Sequence, residues 1–255
     1  DGTCTANYAF HMALAEWNER NREDLAVMRE RGVCSFKTYF AYDHLRLDDA
    51  ETLAVMESLE PLGGTLCVHC ENGTLVNELQ RRVYDEGIHG PEGHPLSRPA
   101  ECEAEAISRL LYLAHLAGDA RVNVVHLSTK MGLDAIRAAK ARGQRNIFVE
   151  TCPQYLLLDD TCFLEQGEDG LAGLAYVMSP PPRKPADRAA LREALLAGEI
   201  DTIATDHCSF NIHGQKDRGA EDFRKVPNGG AGVEHRPALV ATTFEGQLGP
   251  EDLCR

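Results

Sequence analysis

Four residues able to do metal or proton chemistry stand at the same place in the hydropathy pattern, the carboxyl end of an apolar, strand-like run. Lys37 closes Ser35-Phe36-Lys37, His69 closes Cys67-Val68-His69, His126 closes Val124-Val125-His126, and Asp206 closes Ala204-Thr205-Asp206. Imidazole and carboxylate bind Zn, Mn, Fe or Ni, and a metal with an open coordination position activates water. A single His beside a strand is more often a packing residue than a ligand, but four polar residues at equivalent positions argue against coincidence. Lys37 is the odd member, because an ammonium cannot ligate a metal and an apolar strand is a costly place for a charge. Two readings stay open for it. It is a salt-bridged lysine, with Asp206 as one candidate partner, or a neutral amine carboxylated by CO2 to a carbamate whose two oxygens bridge two metals.

Residues this far apart meet only if the fold gathers strand ends. Strand-like runs at 7–14, 33–40, 65–70, 122–128, 146–152 and 201–206 alternate with helical patterns, which predicts an α/β fold with a parallel sheet. In a (β/α) barrel or an open α/β sheet, the carboxyl edge is where ligands bind. The expected helices are 48–59, opened by Asp48 with Glu51 three residues on, then 100–117, 128–142 and 187–197, which stop at Gly118, Gly143 and Gly198. A short apolar strand is expected at 174–178, before the non-helical Ser179-Pro180-Pro181-Pro182-Arg183. Residues 87–99 and 211–236 read as long loops rich in Gly, Pro, His and charge, and long loops in compact domains are usually functional.

Composition narrows the class. The 255 residues carry Lys+Arg 26 against Asp+Glu 40, a formal charge of −14, with 43% hydrophobic residues. That is an ordinary globular balance, and its acidity argues against nucleic acid and against anionic membrane surfaces. No apolar run approaches the ~20 residues of a membrane helix. The nine scattered Cys form no compact disulfide framework, which points to reduced thiols and a cytoplasmic setting.

Five blocks, in order, carry a resemblance: Ser35-Phe36-Lys37-Thr38-Tyr39-Phe40-Ala41-Tyr42, Val68-His69-Cys70-Glu71-Asn72-Gly73, His126-Leu127-Ser128-Thr129, Glu150-Thr151-Cys152-Pro153-Gln154-Tyr155-Leu156, and Thr205-Asp206-His207-Cys208. Pro227-Asn228-Gly229-Gly230 and Gly232-Val233-Glu234 match as well. The set resembles the dihydropyrimidinase/D-hydantoinase family of the amidohydrolase superfamily, from about Tyr8 to the C-terminus. The resemblance implies a TIM-type (β/α) barrel that opens a cyclic amide, a dihydropyrimidine or 5-substituted hydantoin, with two divalent metal ions, Zn the expected one. By that analogy Lys37 is the bridging carbamate formed from CO2, His69 and His126 hold one metal, and Asp206 holds the other and acts as general base and acid. Tyr42 matches the tyrosine that donates to the developing oxyanion, while Ser179 and Asn228 match positions whose backbone groups hold the ring amide. Relatives of this kind form homo-oligomers, commonly tetramers, so a homo-oligomer acting on a small cyclic amide is expected.

The family's His-x-His pair on the first barrel strand has no counterpart here. Residues 1–255 are therefore expected to be part of a single catalytic barrel domain, strands three to eight, without the first two strands or the terminal β-sandwich, and inactive alone. A non-catalytic scaffold of the same fold, or another cyclic amidase such as allantoinase or dihydroorotase, is the competing reading. Persistence of Lys37, His69, His126 and Asp206 favours the enzyme over the scaffold. His11 is expected in the core or behind the site, Cys67 and Cys70 on opposite strand faces, His207 as packing, His89 and His94 solvated, and Trp17 as packing.

Overall fold

The computed structural model describes Thr5 and residues 7–253; Cys4 and Cys254 lie outside the described residues. Six parallel strands form one sheet: β1 (Met12–Ala13), β2 (Ser35–Tyr39), β3 (Thr65–His69), β4 (Val122–Val124), β5 (Ile147–Thr151) and β6 (Thr202–Ile203). Each strand pairs with its neighbour in sequence, in the order β1-β2-β3-β4-β5-β6. A sheet that never reverses its strand order winds in one sense, as a (β/α) barrel does and a doubly wound sheet does not.

Helices carry the crossovers: α1 (Glu19–Glu30), α2 (Asp49–Leu59), then α3 (Gly73–Asp85), α4 (Gly93–Leu96) and α5 (Ala100–Leu116), then α6 (Lys130–Ala141), then α7 (Pro153–Leu157) and α8 (Pro185–Leu196), with α9 (Arg236–Thr243) and α10 (Pro250–Leu253) after β6. The Asp48–Glu51 capping box forms as expected: Asp48 Oδ1 accepts from Glu51 N–H at 2.8 Å and Glu51 Oε2 accepts from Asp48 N–H at 2.9 Å. α6 is capped by Thr129 rather than Ser128: Thr129 Oγ1 accepts from Gly132 N–H at 2.9 Å. Gly143 and Gly198 follow the expected helix ends at φ 104° and 73°, where a side chain would be strained. Among the described residues no helix is long and apolar enough to cross a membrane.

Strand alternation sorts the side chains. On β2, Phe36 and Thr38 are buried toward the helices, while Ser35, Lys37 and Tyr39 face the other way. Register sets Lys37 beside Cys67 and Tyr39 beside His69. The helix-facing side joins one core of Phe36, Leu66, Val68, Val122, Val124 and Val149 with Val55, Leu110, Leu111 and Ile136. Cys70 belongs to that core and Cys67 to the opposite face, as their odd spacing requires; the seven described Cys are all unpaired.

Several expectations need correction. Of 7–14 only Met12–Ala13 is strand, and of 201–206 only Thr202–Ile203; both runs leave the ladder early. Residues 122–128 leave it after Val124, so His126 stands in a turn beyond the strand rather than on it. The apolar run 174–178 is no strand. Residues Ala172–Tyr176 form a 3-10 helix, and Leu174 and Val177 pack with Cys162, Phe163 and Val226 in a second, smaller core. His11 is exposed, its ring bonded to Ser35 Oγ at 2.6 Å beside the thinly covered β1, and is not a core residue. Trp17 packs against the main core as read.

Candidate active site

Lys37, His69, His126 and Asp206 do meet, at the carboxyl edge of the sheet. Together with Tyr42, Ser179 and Asn228 they line one cavity of about 170 Å³, whose remaining wall is Tyr39, Gln154, Met178, Cys208, Gly229 and Gly230. All seven candidate residues, from six separate stretches of the sequence, are in that lining. The volume lies below the ~300 Å³ at which pockets for drug-sized ligands begin, so the space suits one small ring.

Backbone geometry marks the same spot. Four described non-glycine residues adopt positive φ, and three of them are Tyr42 (66°), His126 (43°) and Asp206 (50°). Such conformations cost of order 1–3 kcal/mol each and persist where surrounding structure enforces them. Here each one turns a side chain into the cavity just past a strand end.

The two imidazoles face each other. His69 Nδ1 lies 2.9 Å from His126 Nε2, and His69 Nε2 lies 3.0 Å from Glu71 Oε2. Glu71 is fully buried and also accepts from Arg98 Nη1 at 2.6 Å, with Arg183 Nη2 at 3.8 Å. Burial alone would raise the Glu71 carboxyl, but Arg98, the His69 hydrogen bond and Arg183 hold it well below the usual carboxylate range. An ionised Glu71 takes the Nε2–H of His69, so His69 Nδ1 carries a lone pair and His126 Nε2 supplies the proton between the rings. That assignment leaves His126 Nδ1 bare, and it is indeed buried without a partner. Burial lowers both histidines; Glu71 opposes it at His69, while the His69 ring and Lys37 add to it at His126, so both are neutral.

Lys37 settles differently from its simpler reading. Among the described residues no carboxylate lies within 4.0 Å of its ammonium, and it makes no hydrogen bond there; its nearest recorded contact is the Tyr39 ring, 5.1 Å from centroid to Nζ. Burial lowers it below the ordinary lysine value, against the pull of Cys67, Asp206, Cys70 and Glu150. The salt bridge to Asp206 is absent, and an unpartnered amine of lowered basicity remains. Asp206 is exposed at the mouth, and burial pushes the Tyr42 phenol up to about 12, so it stays a protonated donor.

The donor set bears on metal binding. Two neutral imidazole nitrogens 2.9 Å apart share one proton, the arrangement a cation replaces by ligating both lone pairs. The buried carboxylate behind His69 fixes its tautomer in the way ligating histidines are usually held. No three His, Cys, Asp or Glu side chains among the described residues converge at metal-binding spacing; the Lys37 amine lines the same cavity as the two imidazoles.

Sequence reasoning passed over the buried support. Glu71, Arg98, Glu103 and Arg183 form one ionic cluster behind the cavity: Glu103 Oε1 accepts from Ser128 N at 3.0 Å and Ser128 Oγ at 2.7 Å, its other oxygen accepts from Thr129 Oγ1, and Arg183 donates to Ser128 Oγ at 2.9 Å and to the Arg98 carbonyl. The available signal was two arginines flanked by proline-rich sequence, Ser97-Arg98-Pro99 and Pro182-Arg183. His94, expected to be solvated, is 1% exposed, with Nε2–H donating to the Met178 carbonyl at 2.8 Å. The reason is packing: Gly93 lets α4 close onto the Phe223 ring, which would lie 2.4 Å from any Cβ there. His89 is exposed and stacks on Tyr84. His207 accepts from Gly232 and Val233 N–H at 3.1 and 3.3 Å, so it packs the loop rather than entering the site.

A singly wound parallel sheet with its polar residues gathered at the carboxyl mouth defines a TIM-type barrel of the amidohydrolase kind. Comparison with known proteins agrees. D-phenylhydantoinase of Escherichia coli O81 is 38% identical over 247 residues, 96% of this chain and 52% of the relative. The solved D-hydantoinase of Bacillus sp. AR9 superposes with a TM-score of 0.92 at 34% identity, covering 99% of this chain and 55% of that one. The D-hydantoinase (dihydropyrimidinase) of Thermus sp. gives 0.90 at 37% identity, covering 97% and 53%. No family model matches. The chain is similar to D-hydantoinases and dihydropyrimidinases over almost its whole length, and it spans about half the length of the relatives it matches.

Proposed function

We propose that the protein hydrolyses a cyclic amide, a dihydropyrimidine or a 5-substituted hydantoin, opening the ring. The observation that carries this reading is the single small cavity lined by Lys37, Tyr42, His69, His126, Ser179, Asp206 and Asn228 together. Its relatives named D-hydantoinase and D-phenylhydantoinase support the substrate class.

Relatives of this kind belong to a metal-dependent superfamily. His69 and His126 would hold one divalent ion, Asp206 the other, and Lys37, carboxylated by CO2, would bridge them, with Zn the expected metal; bound, the pair supplies Lewis acidity and a hydroxide at neutral pH. The chain's own residues do the rest. Tyr42, protonated because its phenol is pushed up to about 12, donates to the oxygen of the scissile carbonyl as negative charge grows there. Asp206, at the solvent-facing mouth, takes the proton of the attacking water and delivers it to the departing ring nitrogen. The Ser179 and Asn228 backbone N–H groups donate to no described residue, which leaves them free for the ring amide. Backbone recognition of the amide leaves the exocyclic substituent to the surrounding loops. A homo-oligomer in the cytoplasm is the setting this reading carries with it.

The test uses the protein expressed over its whole reading frame and loaded with Zn, assayed with dihydrouracil and 5-phenylhydantoin. Ring opening of at least one is expected, with Lys37→Ala losing bound metal by elemental analysis and activity by at least ~10³-fold. Metal-loaded protein that opens neither ring overturns the reading.

A further inference from the structure

We propose that Lys216 and His94 are positioning residues for the substrate-binding loops, clamping two consecutive carbonyls, Val177 and Met178, and so fixing the amide groups of Ser179 and Asn228 that face the ring. The proposal rests on the cyclic-amidase reading for what those amides bind, and on the structure alone for the clamp.

Lys216 lies in the segment 211–236, on a 3-10 turn, Lys216–Gly219, that the composition marks as loop. It is nonetheless one of the largest fully buried side chains, 2% exposed. No carboxylate accompanies it. Among the described residues its ammonium forms no ion pair; it donates to the Val177 carbonyl at 2.7 Å. A buried cation with only a carbonyl for partner is an expensive arrangement, and replacement by an apolar residue of similar length would remove the cost. Burial pulls Lys216 down to about 8, and either protonation state still donates.

What the cost secures is the join between two cavity walls. The Val177 carbonyl also accepts from Gly229 N–H at 3.1 Å, so one oxygen holds the 177–179 segment, the 228–230 segment and the Lys216 turn together. One residue on, the Met178 carbonyl accepts from the buried His94 ring at 2.8 Å. Ser179 and Asn228 immediately follow and precede these anchors. Asn228 also keeps a buried side-chain oxygen, Oδ1, without a hydrogen-bond partner among the described residues. Position 229 takes only glycine, because φ is 154° and a Cβ would lie 2.3 Å from the Cys208 carbonyl. Polar groups left unpaired next to a doubly anchored backbone are what a ligand's amide would complete.

The experiment compares the whole-length, Zn-loaded wild type with Lys216→Met, which keeps the stem and deletes the donor, and Lys216→Arg, which keeps an N–H donor. For 5-phenylhydantoin, Lys216→Met is expected to raise KM at least tenfold while kcat falls less than threefold, and Lys216→Arg to recover most of the loss. Hydrogen exchange should quicken at Gly229 N–H and not along Ser35–Tyr39. An active Lys216→Met enzyme with unchanged KM, or KM and kcat damaged together with Lys216→Arg no better, overturns the assignment. A wild type that opens no cyclic amide defeats the functional reading instead; exchange then decides the clamp, and an unchanged Gly229 rate ends it. Should Lys216→Met not fold, His94→Phe, which deletes the neighbouring donor, carries the same expectations.

Discussion

The cavity has two walls built on different principles. The strand-borne wall has Lys37 on β2, His69 at the end of β3 and His126 just past β4, and is backed by an ionic cluster in which Glu71 meets His69, Arg98 and Arg183. The loop-borne wall, Met178–Ser179 and Asn228–Gly230, has no ladder beneath it and hangs from backbone carbonyls gripped by Lys216, His94 and Gly229. Side chains held by other side chains suit a wall that must present fixed donors. A wall of backbone amides needs its carbonyls pinned instead. The first wall is therefore sensitive to charge deletion, and the second to loss of a single hydrogen-bond donor.

Removing Glu71 should break the first wall most severely. Glu71→Ala leaves Arg98 and the His69 Nε2–H buried without their anion, and losing one partner of a buried ion pair costs about 3–5 kcal/mol. Urea unfolding of the whole-length protein measures it; a loss under ~1 kcal/mol would mean the cluster is not carrying that wall. The effect should exceed that of any single donor deletion in the loop-borne wall.

The same division explains what could be read from the sequence. Lys37, His69, His126 and Asp206 were legible because each follows a short apolar run that reads as a strand. The capping box of α2 was legible because its two partners are three residues apart. Lys216 and His94 were not. Their partners lie 39 and 84 residues away, and burial came from packing that composition hides: Gly93 against Phe223, and Val177 in a core of its own with Phe163 and Val226. The apolar run at 174–178 was misread for the same reason, since a run that packs into a satellite core has the hydropathy of a strand without needing a ladder.

Acid should sharpen the contrast from the loop side. Burial, and then the Arg98 cation, lower His94 to about 3, against ~6.5 in an unfolded chain. Between those values the unfolded state holds a proton that the native state refuses, so stability is fully present above ~6.5 and falls as pH drops toward 3, by about 1.4 kcal/mol per pH unit. His94→Gln keeps an N–H donor for the Met178 carbonyl and has no titrating ring. Urea titrations at pH 7 and pH 5 should show the wild type losing about 2 kcal/mol more than the variant over that interval; equal losses would place the acid sensitivity elsewhere.

The smallest effect belongs to neither wall, which is its use. Asp48 caps α2, the helix behind β2 and β3, through a reciprocal pair with Glu51, and neither residue lines the cavity. Asp48→Ala removes one acceptor from the helix start and costs about 1 kcal/mol. Helix ends fray locally, and among the described residues no cavity side chain bonds to Asp48 or Glu51. KM for 5-phenylhydantoin and the exchange rate of Gly229 should then both match the wild type. A KM that rose with Asp48→Ala would show that the strand-borne wall yields with the frame around it, and that the two walls differ less in rigidity than their wiring implies.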